Sequence, residues 1–327
     1  MSWAGRSVLV TGAGGFIGSH LAERLVELGA DVRAFVEYDS LGSRQWLDES
    51  VSAAEMEIVA GDVRDHDSVL RASRGIDTVF HLASLIAIPY SYEAPQSYVD
   101  TNVTGAMNVL RAARAADARL VVHTSTSEVY GTARFVPIDE AHPLQAQSPY
   151  AASKIGADKL AESFHFAYGI PVATLRPFNT YGPRQSARAV IPTVMTQLLA
   201  GDAVRLGNVT PTRDFTFVAD TVDAFVRVAD CDAAVGRVLN VGTGREISIA
   251  NLVEKIAELL RRSASIVHED ERVRPAGSEV ERLCADAGAA RALLGWEPHV
   301  DLDEGLATTA AWLVQNLVRY RFGDYVR

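Results

Sequence analysis

The stretch TGAGGFIG, from Thr11 to Gly18, constrains the fold more than any other part of the chain. It ends the short β run RSVLVTG and opens into GFIGSHLAERLVELGA. There Phe16, Ile17, Leu21, Leu25, Val26 and Leu28 recur at helical spacing and Gly29 marks a stop. A strand that turns on glycines straight into a helix leaves the first N–H groups of that helix free and partly positive. Gly12 permits the tight turn, Gly15 lets the backbone approach a pyrophosphate, and Gly18 lets helix and strand pack closely. In this strand–turn–helix context the glycines predict a dinucleotide site; a merely structural turn is the alternative.

The same alternation continues downstream. Strands are predicted over 31–36, 56–63, 77–84, 119–126 and 171–177, and helices over 102–116 and 148–169. Ser148 caps the second of these, with Pro149 in its first turn. This is the pattern of an α/β chain: a Rossmann-type, doubly wound parallel sheet with helices on both faces. After about Phe178 the pattern becomes irregular, with helical runs at 190–200, 219–230 and 248–262 and short strands in AVRL and RVLNVG. The charged run HEDERVRPAGSEVERL (268–283) reads as a mobile loop. The expected division is therefore a dinucleotide-binding domain at 1–177 and a smaller α/β substrate lobe at 178–327, some of whose segments return to the first domain.

Composition excludes several roles. The formal net charge of −10 disfavours a nucleic-acid or anionic-membrane surface. No apolar run approaches the ~18 residues of a membrane span. The N-terminal MSWAGRSVLVTG enters a strand without an export signal, and Cys231 and Cys284 belong to no CxxC pair, so a reducing cytoplasm is expected. Eight scattered histidines show no ligand spacing, and no metal is expected.

Three further segments carry chemistry. The second strand ends in FVEYDS, where Glu37 or Asp39 can hold an adenosine ribose and repel a 2′-phosphate, favouring NAD over NADP. Were these plain loop acids, Arg33 or Arg44 would be free to meet a phosphate. Asp62, in GDV, suits an adenine contact or a helix N-cap. YAASK places Tyr150 and Lys154 on one helix face, about 6 Å apart along the axis. A tyrosine needs about 4 kcal/mol of preferential phenolate stabilisation to titrate near neutrality. An adjacent ammonium, a positive nicotinamide ring and a hydrogen bond from Thr126 can supply it. TSTSEVYG (124–131) brings Thr126, Ser127 and Glu128 to the rim of a buried strand, where the glutamate is either a base or a turn cap.

TGAGGFIG together with YAASK resembles the extended short-chain dehydrogenase/reductase family, whose members act on nucleotide sugars. HLAS, TNVTGAMNVL, RPFNTYGPRQ, RDFTFVAD, LNVGTG and LLGWEP follow in family order. The resemblance implies NAD in the N-terminal half, a nucleoside diphosphate sugar in the C-terminal half, and a homodimer built on the two long helices. It adds Phe16, Ile17, Val63, Leu82, Ala83 and Asn102 to the cofactor contacts. It assigns Arg213 and Arg274 to the substrate diphosphate, whose oxygens their planar forks match. Asn179 goes with the phosphate or sugar, Arg188 and Arg184 are weaker candidates, and Tyr90 and Tyr92 either line the sugar pocket or pack in the core. The Thr126-Ser127-Glu128 form is similar to that of 4,6-dehydratases and UDP-glucuronate decarboxylases and unlike that of plain 4-epimerases. LIAIPYSYEAPQSYVDTN and RPAGSEVERL are similar to LegB-type UDP-N-acetylglucosamine 4,6-dehydratases, although Glu37 departs from that subgroup's basic or neutral residue. The implied activity is a 4,6-dehydration of a UDP-sugar through a 4-keto intermediate, with decarboxylation or 4-epimerisation as alternatives.

Overall fold

The computed structural model describes residues 2–320, so the last seven residues of the expected substrate lobe lie outside the described residues. In chain order the N-terminal half forms β1 (Ser7–Thr11), α1 (Phe16–Glu27), β2 (Asp31–Glu37), β3 (Glu57–Gly61), α2 (His66–Ala72), β4 (Thr78–His81), α3 (Gly105–Ala115), β5 (Leu120–Thr124), α4 (Pro149–Tyr168) and β6 (Val172–Pro177). The later chain adds α5 (Val190–Ala200), α6 (Val218–Ala229), β7 (Val238–Val241), α7 (Ile249–Leu260) and α8 (Leu302–Gln315).

The seven strands form one sheet in the order β7-β6-β5-β4-β1-β2-β3, and every pairing is parallel. Because both faces are covered, the strands are rich in valine, leucine and other apolar residues, and the two-residue period assigns alternate side chains to two cores. Val8, Val10, Phe80, Val122 and Leu175 pack with Leu21 and Leu25 of α1 and Phe225 of α6. Leu9, Phe35, Val79, Val121 and Val172 pack on the other face with Val69, Val109 and Ala161 of α2, α3 and α4. The strand order reverses between β1 and β4, and that reversal leaves a crevice at the strands' carboxyl ends.

Outside the sheet, three two-stranded pairs stiffen the C-terminal half: Thr180–Tyr181 with Thr216–Phe217, Thr212–Asp214 with Glu246–Ser248, and Ala203–Leu206 with Ser265–His268. Two expectations change. The helix read from 102 begins as a π-helical turn, Val99–Thr104, before α3. The end of the charged run 268–283, from Ser278 to Leu283, is pinned rather than loose. Val280 and Leu283 are buried, Gln147 Nε2 donates to the Glu279 carbonyl at 2.9 Å, and the Tyr92 hydroxyl meets Ser278 Oγ at 2.5 Å. Two apolar side chains and a few backbone acceptors outweigh a composition that is charged overall. Among the described residues no helix is long and apolar enough to cross a membrane.

Candidate active site

One cavity of about 1210 Å³ runs from the glycine turn across the sheet crevice to the C-terminal lobe. Its first wall is that turn. Gly12 has φ of +72°, and a Cβ there would sit 2.8 Å from the Ala83 nitrogen, so the β4 loop lies directly on the turn. Gly15 occupies the N-cap of α1 with no side-chain cap, and no acid sits in the first turn. The free N–H groups therefore face the cavity with nothing of the chain to neutralise them. Gly12, Gly15, Phe16, Ile17, Gly18, Glu37, Asp62, Val63, Leu82 and Ala83 all line this wall.

The residues here fit NAD. Glu37 ends β2 at the cavity, whereas Arg33 is bonded to Glu57 at 2.7 Å and Arg44 to Asp48 at 2.8 Å, and neither lines it. Neither of these two arginines is thus presented where a 2′-phosphate would lie, and the cation that does line this wall, Arg64, is paired with Asp62. Asp62 is not a helix cap: Asp65 caps α2, accepting from Asp67 N, while Asp62 pairs with Arg64. Asn102 lies behind the wall rather than in it. Its Oδ1 accepts from Leu85 N at 2.8 Å, and its Nδ2 donates to the Leu85 carbonyl and to Ser153 Oγ. Both ends of the amide are engaged in tying the Leu85 loop, which lines the cavity, to α4.

The second wall is the end of β5. Thr126 caps a single 3-10 turn, Ser127–Tyr130, by accepting from Glu128 N at 3.3 Å. The cap is therefore Thr126 and not Glu128. The Glu128 side chain lines the cavity although the residue is 8 % exposed, and no described residue donates a hydrogen bond to its carboxylate. Its charge is felt by Tyr92, Tyr150 and Arg213. Tyr150 and Lys154 reach the same wall from α4.

The expected low-pKa tyrosine is corrected in one respect. Burial raises the Tyr150 phenol above its ordinary value; a hydrogen bond with Thr126 pulls it down, and the Glu128 charge pushes it up again. Desolvation of the phenolate outweighs what the chain itself offers. Lys154 is brought down to about 8 by burial, with Asp158 opposing, and its Nζ donates to the Thr124 carbonyl at 2.6 Å.

The far wall carries Asn179, Arg188, Arg213 and Arg274. Arg213 is buried and donates to the Thr212 carbonyl at 2.9 Å. Arg274 Nη1 and Asn179 Oδ1 are both buried without a hydrogen-bond partner, at the surface of a cavity that can supply one. Arg184, by contrast, is engaged by Glu23 through two bonds of 2.9 Å and anchors the lobe to α1. Tyr90 lines the cavity, and Tyr92 packs with Ile88, Tyr98 and Tyr150. Sequence reasoning missed Glu279, which sits 3.9 Å from Arg213 and 3.7 Å from Arg274. It also missed Trp46, whose backbone N–H donates to the Gly14 carbonyl and which lines the cavity beside the turn. Glu279 lies within RPAGSEVERL, where only Arg274 was singled out, and Trp46 comes from a short 3-10 turn, Gln45–Asp48, that belongs to no motif. Among the described residues no cluster of His, Cys, Asp or Glu could hold a metal ion.

Comparison with known proteins gives the lineage of this arrangement. A family model described as GDP-mannose 4,6 dehydratase matches residues 9–309. A UDP-glucose 4-epimerase of Mycolicibacterium smegmatis is 38% identical over 309 residues, 92% of this chain and 96% of that protein. A dTDP-glucose 4,6-dehydratase of Xanthomonas campestris pv. campestris is 32% identical over 334 residues, 94% of this chain and 93% of that one. The crystal structure of DesIV, a dTDP-glucose 4,6-dehydratase from Streptomyces venezuelae with NAD and TYD bound, superposes with a TM-score of 0.88 at 30% identity, covering 96% of this chain and 99% of that chain. Similar along nearly its whole length to epimerases and dehydratases alike, the chain belongs to the extended short-chain dehydrogenase/reductase family of nucleotide-sugar dehydratases and epimerases, and it is an enzyme.

Proposed function

We propose that the protein is an NAD-dependent 4,6-dehydratase of UDP-N-acetylglucosamine or a related UDP-sugar, working through a 4-keto intermediate. The observation that carries this reading is Glu128, a residue only 8 % exposed on the cavity wall that also holds Tyr150, whose carboxylate receives no hydrogen bond from any described residue. A plain epimerisation needs no such acid.

The glycine turn and the open first turn of α1 hold the cofactor's pyrophosphate, and Glu37 holds the adenosine ribose. NAD, when bound there, would supply the acceptor for the C4 hydride and the donor for its return at C6. Tyr150 receives the proton of the C4 hydroxyl. Because burial keeps its phenol protonated, the ionisation needs the Lys154 ammonium and the positive charge that arrives with the cofactor. The C4 ketone then acidifies the C5 proton, since the anion left behind is an enolate. Glu128 removes that proton. The C6 hydroxyl leaves as water, taking a proton from Glu128 in its acid form or from Ser127, and C5 is reprotonated. Arg213 and Arg274 clamp the diphosphate, which keeps base, tyrosine and leaving group addressed to one ring.

The test is the mass of the product from UDP-N-acetylglucosamine, UDP-glucuronate and UDP-glucose: loss of water is expected with the first. Glu128→Gln should still oxidise C4 but lose elimination by about 10²–10⁴-fold, the usual contribution of a general base. If that variant eliminates water at the normal rate, the glutamate is structural and the reading fails. A second reading, 4-epimerisation, is favoured by the 38% identity to the mycobacterial UDP-glucose 4-epimerase. It requires a product of unchanged mass with a new configuration at C4.

A further inference from the structure

Behind the cavity lies a buried set of charges that the reaction scheme does not use. Along α4, Tyr150, Lys154 and Asp158 follow at steps of four, so all three face the sheet. Asp158 is 5 % exposed. Its carboxylate accepts from Ser125 Oγ at 2.7 Å and from Arg176 Nη2 at 2.9 Å, and it meets His123 Nε2 at 3.1 Å. Arg176 Nη1 continues to the Tyr130 hydroxyl at 2.9 Å, which donates to Asn240 Oδ1 at 2.7 Å. The network crosses β5, β6 and β7 and is sealed from water.

Its charges do not cancel locally. Facing the Lys154 ammonium are His81 on β4, His123 on β5, the Tyr150 phenol one turn before it and Asp158 one turn after it. Burial holds both imidazoles neutral, and the phenol stays protonated. Arg176 is the other cation. One carboxylate thus stands against two positive charges. Among the described residues Lys154 has no anion within ion-pair distance, and its hydrogen bond goes to a backbone carbonyl.

We propose that Asp158 is a positioning residue for the reaction: a buried counter-charge, itself fixed by Arg176, His123 and Ser125, that keeps Lys154 charged and in place beside Tyr150. A desolvated ammonium gives up its proton readily unless an anion stands close. The Thr124 carbonyl aims the group, and Asp158 supplies the charge that a carbonyl lacks. The role of Lys154 in catalysis rests on the proposed function; its protonation can be read without any substrate.

The chain has three lysines, Lys154, Lys159 and Lys255. Protein labelled with ¹³C at the lysine ε-carbon therefore gives three signals, and Lys154→Arg identifies the one of interest. The wild-type signal should titrate near 8. In Asp158→Asn the midpoint should fall by about one pH unit or more, the usual effect of removing a nearby opposite charge. Asp158→Asn leaves Arg176 unpaired, so the double variant Asp158→Asn/Arg176→Gln, which leaves no unpaired guanidinium, decides the matter if the single variant does not fold. Tyr130→Phe, which cuts the far end of the network, should lower stability and leave the Lys154 midpoint where it is. Enzyme turnover in the folded variants should fall through kcat with KM little changed. An unmoved Lys154 midpoint in either folded variant overturns the proposal, whatever the reaction proves to be. A shifted midpoint in a protein whose Tyr150→Phe variant still turns over would instead remove the proposed chemistry and leave the electrostatic role of Asp158 intact.

Discussion

Gly18→Ala tests how closely the cofactor turn is built. A Cβ at Gly18 would fall 2.1 Å from the Gly12 carbonyl oxygen, 2.9 Å from its carbon and 3.1 Å from the Ala13 Cα. All three neighbours are backbone in a turn already fixed by Gly12 N and Ala13 N donating to the Phe35 carbonyl, so no flexible side chain can swing away. Reaching ordinary contact at 3.4 Å demands a displacement of about 1.3 Å from the present 2.1 Å. Forcing a methyl into packed structure costs about 1–3 kcal/mol, and a rigid neighbour puts this site at about 2–3. Alanine's helix preference over glycine returns about 1 kcal/mol, leaving about 1–2. At roughly 2 cal/mol/K per residue of unfolding entropy, a chain of this length should lose about 1.5–3 °C in Tm. The functional effect should be larger. The displaced turn misaims the N–H groups of α1, and each charge-assisted bond lost is worth about 1.5–3 kcal/mol, or about 10–100-fold in affinity. The assay is NADH binding by fluorescence beside thermal melting, with Gly201→Ala as control. Gly201 has extended backbone and open space around its Cβ, so alanine there should be neutral or slightly stabilising. Wild-type NADH affinity in Gly18→Ala would refute the close-packing argument.

Two further outcomes follow from buried charge. Arg213→Lys keeps the cation and loses the planar fork, so KM for the nucleotide sugar should rise about tenfold with a smaller change in kcat; an unchanged KM removes Arg213 from the diphosphate site. Stability should fall on acidification in two stages. His81 and His123 have folded-state pKa values below their ordinary 6.5, so below about pH 6.5 the unfolded chain binds more protons and stability is lost. Asp158, held down at about 2 against an ordinary 3.8 by His123, Arg176 and Ser125 despite its burial, adds a loss of about 2 kcal/mol between about pH 4 and pH 2. A Tm that stays flat or rises from about pH 7.5 to pH 5 would show that the two imidazoles are not buried neutral.

Much of the site was legible because its chemistry is local in sequence. The glycine turn, the Tyr150–Lys154 pair and the Thr126-Ser127-Glu128 rim each depend on residues a few positions apart, where helix and strand periods dictate which groups share a face. Asp158 belonged to the same helical stripe and could have been found by taking one more step of four. Its partners could not: His123, Ser125 and Arg176 come from other elements, and no spacing relates them to it. Nor does the motif around Asn102 show that its amide bonds Leu85 and Ser153, which are 17 and 51 positions away.

By itself the sequence determined the alternation of strands and helices, the turn that a dinucleotide can approach, and the groups able to move protons, because each follows from short-range periodicity and side-chain type. The tertiary structure decided which charges share a solvent-free space. It set Glu279 between two arginines, placed a neutral histidine pair beneath Lys154, and left Tyr150 too well buried to ionise on the chain's own charges. Desolvation and long-range Coulomb attraction depend on what surrounds a group in space, and chain separation carries no record of that.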